Sequence, residues 1–173
     1  DVVLQFEASH GLEHRFVRGT KNRFGATDEI AVFRMGSTGL RPVENPSALF
    51  LEGRQARASG STVAAAVEGS RPVLVEVQAL TNPTVYGSPQ RVSTGFDGRR
   101  TALLLAVLER RAGIPTGDLD VFLNVVGGLR LSEPAADLAV IAALASAVRD
   151  RAADPAAVFV GEVGLGGEIR PVG

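Results

Sequence analysis

Apolar residues in this chain switch between two periods, and the order of the switches constrains the fold more tightly than composition does. Val2, Leu4 and Phe6 alternate with Val3, Gln5 and Glu7, a polar turn follows at Ser9 to Glu13, and the chain returns over His14 to Arg18, which predicts a hairpin. Glu29 to Met35 reads as a further extended segment, Gly36 to Gly39 as a turn, and Pro42 and Pro46 as marks of a connector. From about Arg54 the β-rich runs Ser61 to Val67 and Val73 to Val77 flank the turn sequence Glu68 to Pro72. A longer loop with Pro83, Gly87 and Pro89 then leads to Arg91-Val92-Ser93. Helical spacing takes over after Asp97, an expected N-cap, with Leu103, Leu104, Val107 and Leu108 facing a core and Gly113 ending the helix. Asp120 to Val126 predicts a buried strand, Gly127-Gly128 a bend, and Ser132 the cap of a second helix running to about Asp150. Ala157 to Val163 and Glu168 to Val172 are expected as two last strands around the Gly164 to Gly167 turn. Strands interleaved with two helices predict an α+β fold with α/β-like layers.

A chain of 173 residues, 45% hydrophobic, can bury one core with a small appendage. The absence of cysteine excludes thiolate metal ligands and a disulfide-stapled module, and fits a cytoplasmic location. The chain opens on Asp1 with no apolar signal core over residues 1–20, so its start is expected to be a cut. No apolar run approaches the ~20 residues of a membrane helix, and membrane partners are not expected. His10 and His14 have helix-like spacing, but Gly11 lies between them and no third ligand is evident, so no metal site is predicted. A net charge of −1 provides no global attraction to nucleic acid, so any DNA contact must come from a local basic surface. The glycines of Gly161 to Gly166 lack dinucleotide spacing and no G-x-x-x-x-G-K-[ST] loop occurs, so the chain has no phosphate cradle or nucleotide cofactor of its own.

Against this background Lys21 stands out, because it is the single lysine among 18 Lys and Arg residues. An ammonium is a compact point charge where a guanidinium is a planar fork, and Lys21 with Arg23, if both lie on a strand, would face one side and grip one polyanion. The run Lys21-Asn22-Arg23-Phe24-Gly25 resembles the KNRFG signature of the bacterial RadA (Sms) family of RecA-related ATPases. The resemblance continues through DVVLQFEA, NPSALFLEGR at residues 45–54, EGSRPVLVEVQAL at 68–80, NVVGGLRLSEPAADLAV and GEVGLGGEIRPV. It implies that residues 1–52 are the last strands of a RecA-like ATPase core and residues 53–173 a Lon-protease-like domain. It also implies a parent that is a hexameric, ATP- and Mg-dependent motor acting on single-stranded or branched DNA, with other recombination proteins, in branch migration and repair. Within it Lys21 and Arg23 would reach across a subunit boundary to ATP phosphates, or else contact DNA phosphates, with Asn22, Phe24 and Gly25 shaping the turn.

The same resemblance bears on proteolysis. Lon-type peptidases use a serine at a helix start and a lysine base, and the nucleophile position of Ser132 to Asp137 falls on Ala135, whose methyl group cannot attack a carbonyl. Ser132 is the nearest hydroxyl, and its position favours the N-cap role. The rival readings are an active Lon-type peptidase and a purely structural oligomerisation module. Basic residues suggest a DNA path along Arg91 in the long loop and Arg99 and Arg100 at a helix start, where cations oppose the helix dipole unless they face an anion. Arg110 and Arg111 suit that helix's C-terminus. Aromatic residues make up 5% of the chain, so contacts through the backbone phosphates are expected over base stacking.

Overall fold

The computed structural model describes residues 1–8, 14–25, 27, 30–55, 57–68, 71–85 and 87–172. The polar turn with His10, the start of the Glu29 segment and the tip of the Glu68 to Pro72 corner lie outside the described residues, as does the side chain of His14. The chain begins as a four-stranded antiparallel meander, β1 (Val2–Ala8), β2 (His14–Asn22), β3 (Ile30–Gly36) and β4 (Gly39–Pro42), in the order β1-β2-β3-β4. Alternation puts Phe16, Ile30 and Val32 on its buried face, while Leu4 and Phe6 remain exposed.

The connector expected around Pro42 and Pro46 contains a short helix that periodicity did not signal, α1 (Pro46–Phe50). Its cause is local: Asn45 accepts the Ala48 N–H at 3.1 Å and Pro46 occupies the first turn, where no N–H is needed. The helix delivers Phe50 onto Phe16, with ring centroids 6.2 Å apart and planes inclined by 13°.

The second sheet contains β5 (Ser61–Glu68), β6 (Arg71–Pro83), β7 (Arg91–Thr94) and β8 (Leu119–Val125) in the order β5-β6-β8-β7. β5, β6 and β8 pair antiparallel, whereas β7 runs parallel to β8 and is joined to it through α2 (Gly98–Ala112), a βαβ crossover in a mixed sheet. β6 extends to Pro83, through residues expected to be loop, because β8 pairs with its second half as far as Pro83↔Leu119. α2 is capped as expected: the Asp97 carboxylate accepts the Arg100 N–H at 2.8 Å, and Gly113 adopts φ +63° at the C-cap. Its buried stripe is Thr101, Leu104, Leu105, Val107 and Leu108, so Leu105 takes the core place expected of Leu103, which is exposed.

A 3₁₀ turn (Val126–Gly128) and a second one (Pro134–Ala136) precede α3 (Asp137–Val148). The expected Ser132 cap is not made. The helix begins five residues later behind Pro134, no side chain caps it, and Ser132 is exposed without a hydrogen bond among the described residues. α3 turns Ala139, Val140, Ala143 and Leu144 fully inward, and its alanines let the helix approach the sheet closely enough for Thr62 Oγ1 to donate to the Ala139 carbonyl at 2.9 Å. The last expected strands shrink to a two-residue hairpin, β9 (Glu162–Val163) and β10 (Ile169–Arg170), with Phe159 held by an isolated bridge to Ala64. On the other face of the second sheet, buried Glu76 accepts the Ser61 hydroxyl at 2.6 Å and lies 4.0 Å from Arg54 Nε. The fold is α+β, with two sheets sharing one apolar cluster from Phe16 and Val32 through Phe50 to Val77, Leu108 and Leu144. No helix among the described residues is long and apolar enough to cross a membrane.

Candidate functional site

Lys21 sits near the end of β2, paired with Val3 of the edge strand. The register shifts between Val3 and Leu4, whose partners are Lys21 and Gly19, so Thr20 is the extra residue of a bulge; its hydroxyl donates to the Val3 carbonyl at 3.3 Å. A bulge breaks the strand's alternation and re-aims the side chains beside it. Arg23 lies beyond the strand in the turn, held by its N–H to the Asp1 carbonyl at 3.3 Å, so the i, i+2 strand geometry expected of the pair is replaced by a strand end and a turn. The Asn22 carboxamide fixes that turn by accepting the Phe24 N–H at 3.0 Å. Gly25 leaves room for it: a Cβ there would lie 3.2 Å from Asn22 Nδ2. Lys21, Arg23 and Phe24 are all exposed, and neither cation has an ion pair among the described residues. The Arg23 guanidinium lies over the Phe24 ring, 5.1 Å from its centroid.

A second constellation surrounds the start of α3. Ala135 is half-buried, and its carbonyl accepts the Gly161 N–H at 2.9 Å, while Leu138 N–H donates to the Gly161 carbonyl at 3.1 Å. These bonds clamp the segment at the expected nucleophile position to Gly161, just before β9. Two residues on, Asp137 is fully buried. Its carboxylate accepts Arg100 Nε at 3.0 Å, Arg100 Nη2, and the Val163 N–H at 3.1 Å; Nη2 also donates to the Val163 carbonyl at 2.9 Å. The hydrogen bonds that it donates to Asp137 hold the Arg100 guanidinium above its ordinary pKa against partial burial, with the charges of Asp137 and Glu162 adding to them. Beside this pair lies a cleft of about 680 Å³ lined by Ser93, Asp97, Arg100, Arg130, Ser132 and Glu162, among others. Ser132 lines this cleft, but the chain's one lysine stands on the other sheet, so no serine and lysine meet here.

The three arginines expected along a DNA path have different surroundings. Arg100 is engaged by Asp137, and Arg91 donates to the carbonyls of Leu119, Gln90 (3.4 Å) and Thr116 (2.8 Å). Arg99 is exposed and has no hydrogen-bond or ion-pair partner among the described residues. Sequence reasoning missed the Asp137 anchor; an acid at the head of a nearly all-apolar helical run, DLAVIAALASAV, was the available signal.

The chain is thus an α+β region in which an exposed basic turn follows β2 within a β-meander, and in which the cleft beside the start of α3 lacks a serine–lysine pair. No family model matches it. Over 99% of its length it is 51% identical to the DNA repair protein RadA of Synechocystis sp., 49% to that of Bacillus subtilis and 52% to that of Pseudomonas aeruginosa. The chain belongs to the RadA family and corresponds to its C-terminal region. It spans 34%, 38% and 38% of the length of those three relatives.

Proposed function

We propose that residues 1–52 end a RecA-like ATPase core and that residues 53–173 form a Lon-protease-like domain of a DNA-dependent ATPase. The intact protein acts in recombinational repair, driving branch migration as a hexameric ring with other recombination proteins. The relatives, named as DNA repair proteins, support the setting. The observation that carries the mechanism is the turn at the end of β2, which presents Lys21 and Arg23 exposed and without a carboxylate partner among the described residues. Exposed cations at a strand end and turn suit an anion from outside the subunit: the phosphates of ATP and its Mg held by a neighbour's P-loop, where they would stabilise charge on the transferred phosphoryl group. DNA phosphates are the second anion they fit. Lys21→Ala or Arg23→Ala in the full-length protein should leave the fold intact and cut DNA-stimulated ATP turnover by ~10³-fold if they act in trans on ATP. Unchanged turnover with weakened DNA binding assigns the pair to DNA instead.

The Lon-like domain serves as an inert scaffold for the ring and as a DNA surface. Ala135 supports the loss of peptidase chemistry, since its methyl group offers no nucleophile. Of the arginines expected to meet DNA, Arg99 is the one whose guanidinium has no partner among the described residues, while Arg91 and Arg100 brace the loop and helix that carry it.

A further inference from the structure

We propose that Arg54 is a positioning residue that couples DNA contact on the domain around α3 to ATP turnover at the basic turn, through a fastened strap of residues 54–55 and 57–61. This rests on the readings that Lys21 and Arg23 act on ATP and that the domain carrying Arg99 meets DNA. The strap leaves α1, enters β5 and is bolted at both ends. The Arg54 side chain is 8% exposed; its Nε donates to Ser61 Oγ at 3.1 Å and its Nη1 to the Pro155 carbonyl at 3.1 Å. Ser61 donates in turn to buried Glu76. At the other end Ser59 Oγ donates to Asp150 Oδ1 at 2.7 Å, the Gly60 N–H donates to Ser146 Oγ at 2.8 Å, and the Gly60 carbonyl accepts the Ala79 N–H at 2.8 Å. A Cβ on Gly60 would run into the Ala79 carbonyl, so only glycine lets the strap lie this close to β6.

The path continues in both directions. Ser146 lies in the last turn of α3, and Asp150 follows just beyond it as the one non-glycine with positive φ (+44°) among the described residues. At the opposite end of that helix Asp137 holds Arg100, the neighbour of Arg99. Towards the basic turn, Phe50 joins α1 to Phe16 of β2, and Ser47 Oγ accepts the Leu74 N–H at 2.9 Å, which fixes α1 to β6. Helices and paired strands move as rigid pieces, so a displacement at one end reaches the other through the joints between them. Arg54 is the joint that can give. Its Nη2 is buried without a partner among the described residues, and its Nε stays 4.0 Å from Glu76. Incomplete pairing of a buried guanidinium lowers the cost of releasing it, which full pairing would raise.

The test uses the full-length protein with Arg54→Lys, which keeps a positive charge near Glu76 but cannot reach Ser61 and Pro155 at once. Basal ATP turnover and DNA affinity should stay within about twofold of the parent, while stimulation of turnover by DNA falls on the order of tenfold. Ser59→Ala removes one exposed bond of the strap and should lower the stimulation in the same direction by less. Trypsin should cut after the exposed Arg57 faster in Arg54→Lys than in the parent, by more than any change in global stability accounts for. Stimulation equal to the parent's in both variants overturns the coupling and leaves the ATP and DNA readings standing. Equal losses of basal turnover, DNA affinity and stimulation make Arg54 a merely structural residue and overturn it as well. If Arg54→Lys does not fold, Ser59→Ala decides, and full stimulation there ends the proposal. A parent protein that binds DNA without any stimulation of turnover sinks the DNA-dependent ATPase reading itself, and the coupling with it.

Discussion

Arg100 and Asp137 illustrate how one residue's surroundings decide its role. The Asp137 carboxylate is 1% exposed and the Arg100 side chain 30%, so the two halves of the pair differ in what happens when the other is lost. Arg100→Ala strands a buried carboxylate and should cost about 3 kcal/mol or more, read as a lower denaturant midpoint at constant slope. Asp137→Ala should cost less, because the arginine can turn to water. At the turn, Lys21 is singular in a chain that otherwise uses arginine for every cation. If its site needs a compact ammonium, Lys21→Arg in the full-length protein should lower DNA-stimulated ATP turnover by about tenfold or more despite conserving charge. Full activity in that variant would mean that only the charge matters.

Among the elements, α1 and the bend at Gly127 act together. Phe50, at the end of α1, stacks on Phe16 of β2, and it also fills the space in front of Gly127. Gly127 has φ +86°, and a Cβ there would come within 2.5 Å of the Phe50 ring. Gly127→Ala therefore combines backbone strain with displacement of the ring that links the two sheets, and should destabilise by about 2 kcal/mol or more. Gly53→Ala is the control, since φ is +76° there but no atom lies within 4 Å of the added Cβ; it should cost only the conformational part. Comparison of the two thermal melts separates strain from collision.

At the scale of the whole molecule, the internal bonds of Arg91 and Arg100 change how a DNA surface should be tested. Replacing all three arginines together would damage the fold, whereas Arg99→Ala removes no hydrogen bond or ion pair among the described residues. Arg99→Ala should reduce the log–log salt slope of DNA binding by about 0.7 to 0.9 with little dependence on base sequence. An unchanged slope makes Arg99 an ordinary surface charge and favours the scaffold reading. The same preparation should release no fluorophore from peptide substrates, because Ala135 has no nucleophilic atom and Ser132 has no lysine near it.

Local rules made much of this protein legible. The β-rich run from Ser61 and the buried run from Asp120 located β5 and β8, and Asp97 and Gly113 bounded α2, because propensity, caps and glycine conformations depend on near neighbours in the chain. Other features depended on partners far away in sequence. β6 runs to Pro83 because β8 returns to pair with it, and α3 starts at Asp137 because Pro134 and the bonds to Gly161 and Val163 set its entry. Arg100 is an internal brace because Asp137, 37 residues on, reaches it. Composition and spacing can name a cation, but whether that cation faces water or a buried carboxylate is decided by which segments the fold brings within 3 Å of it.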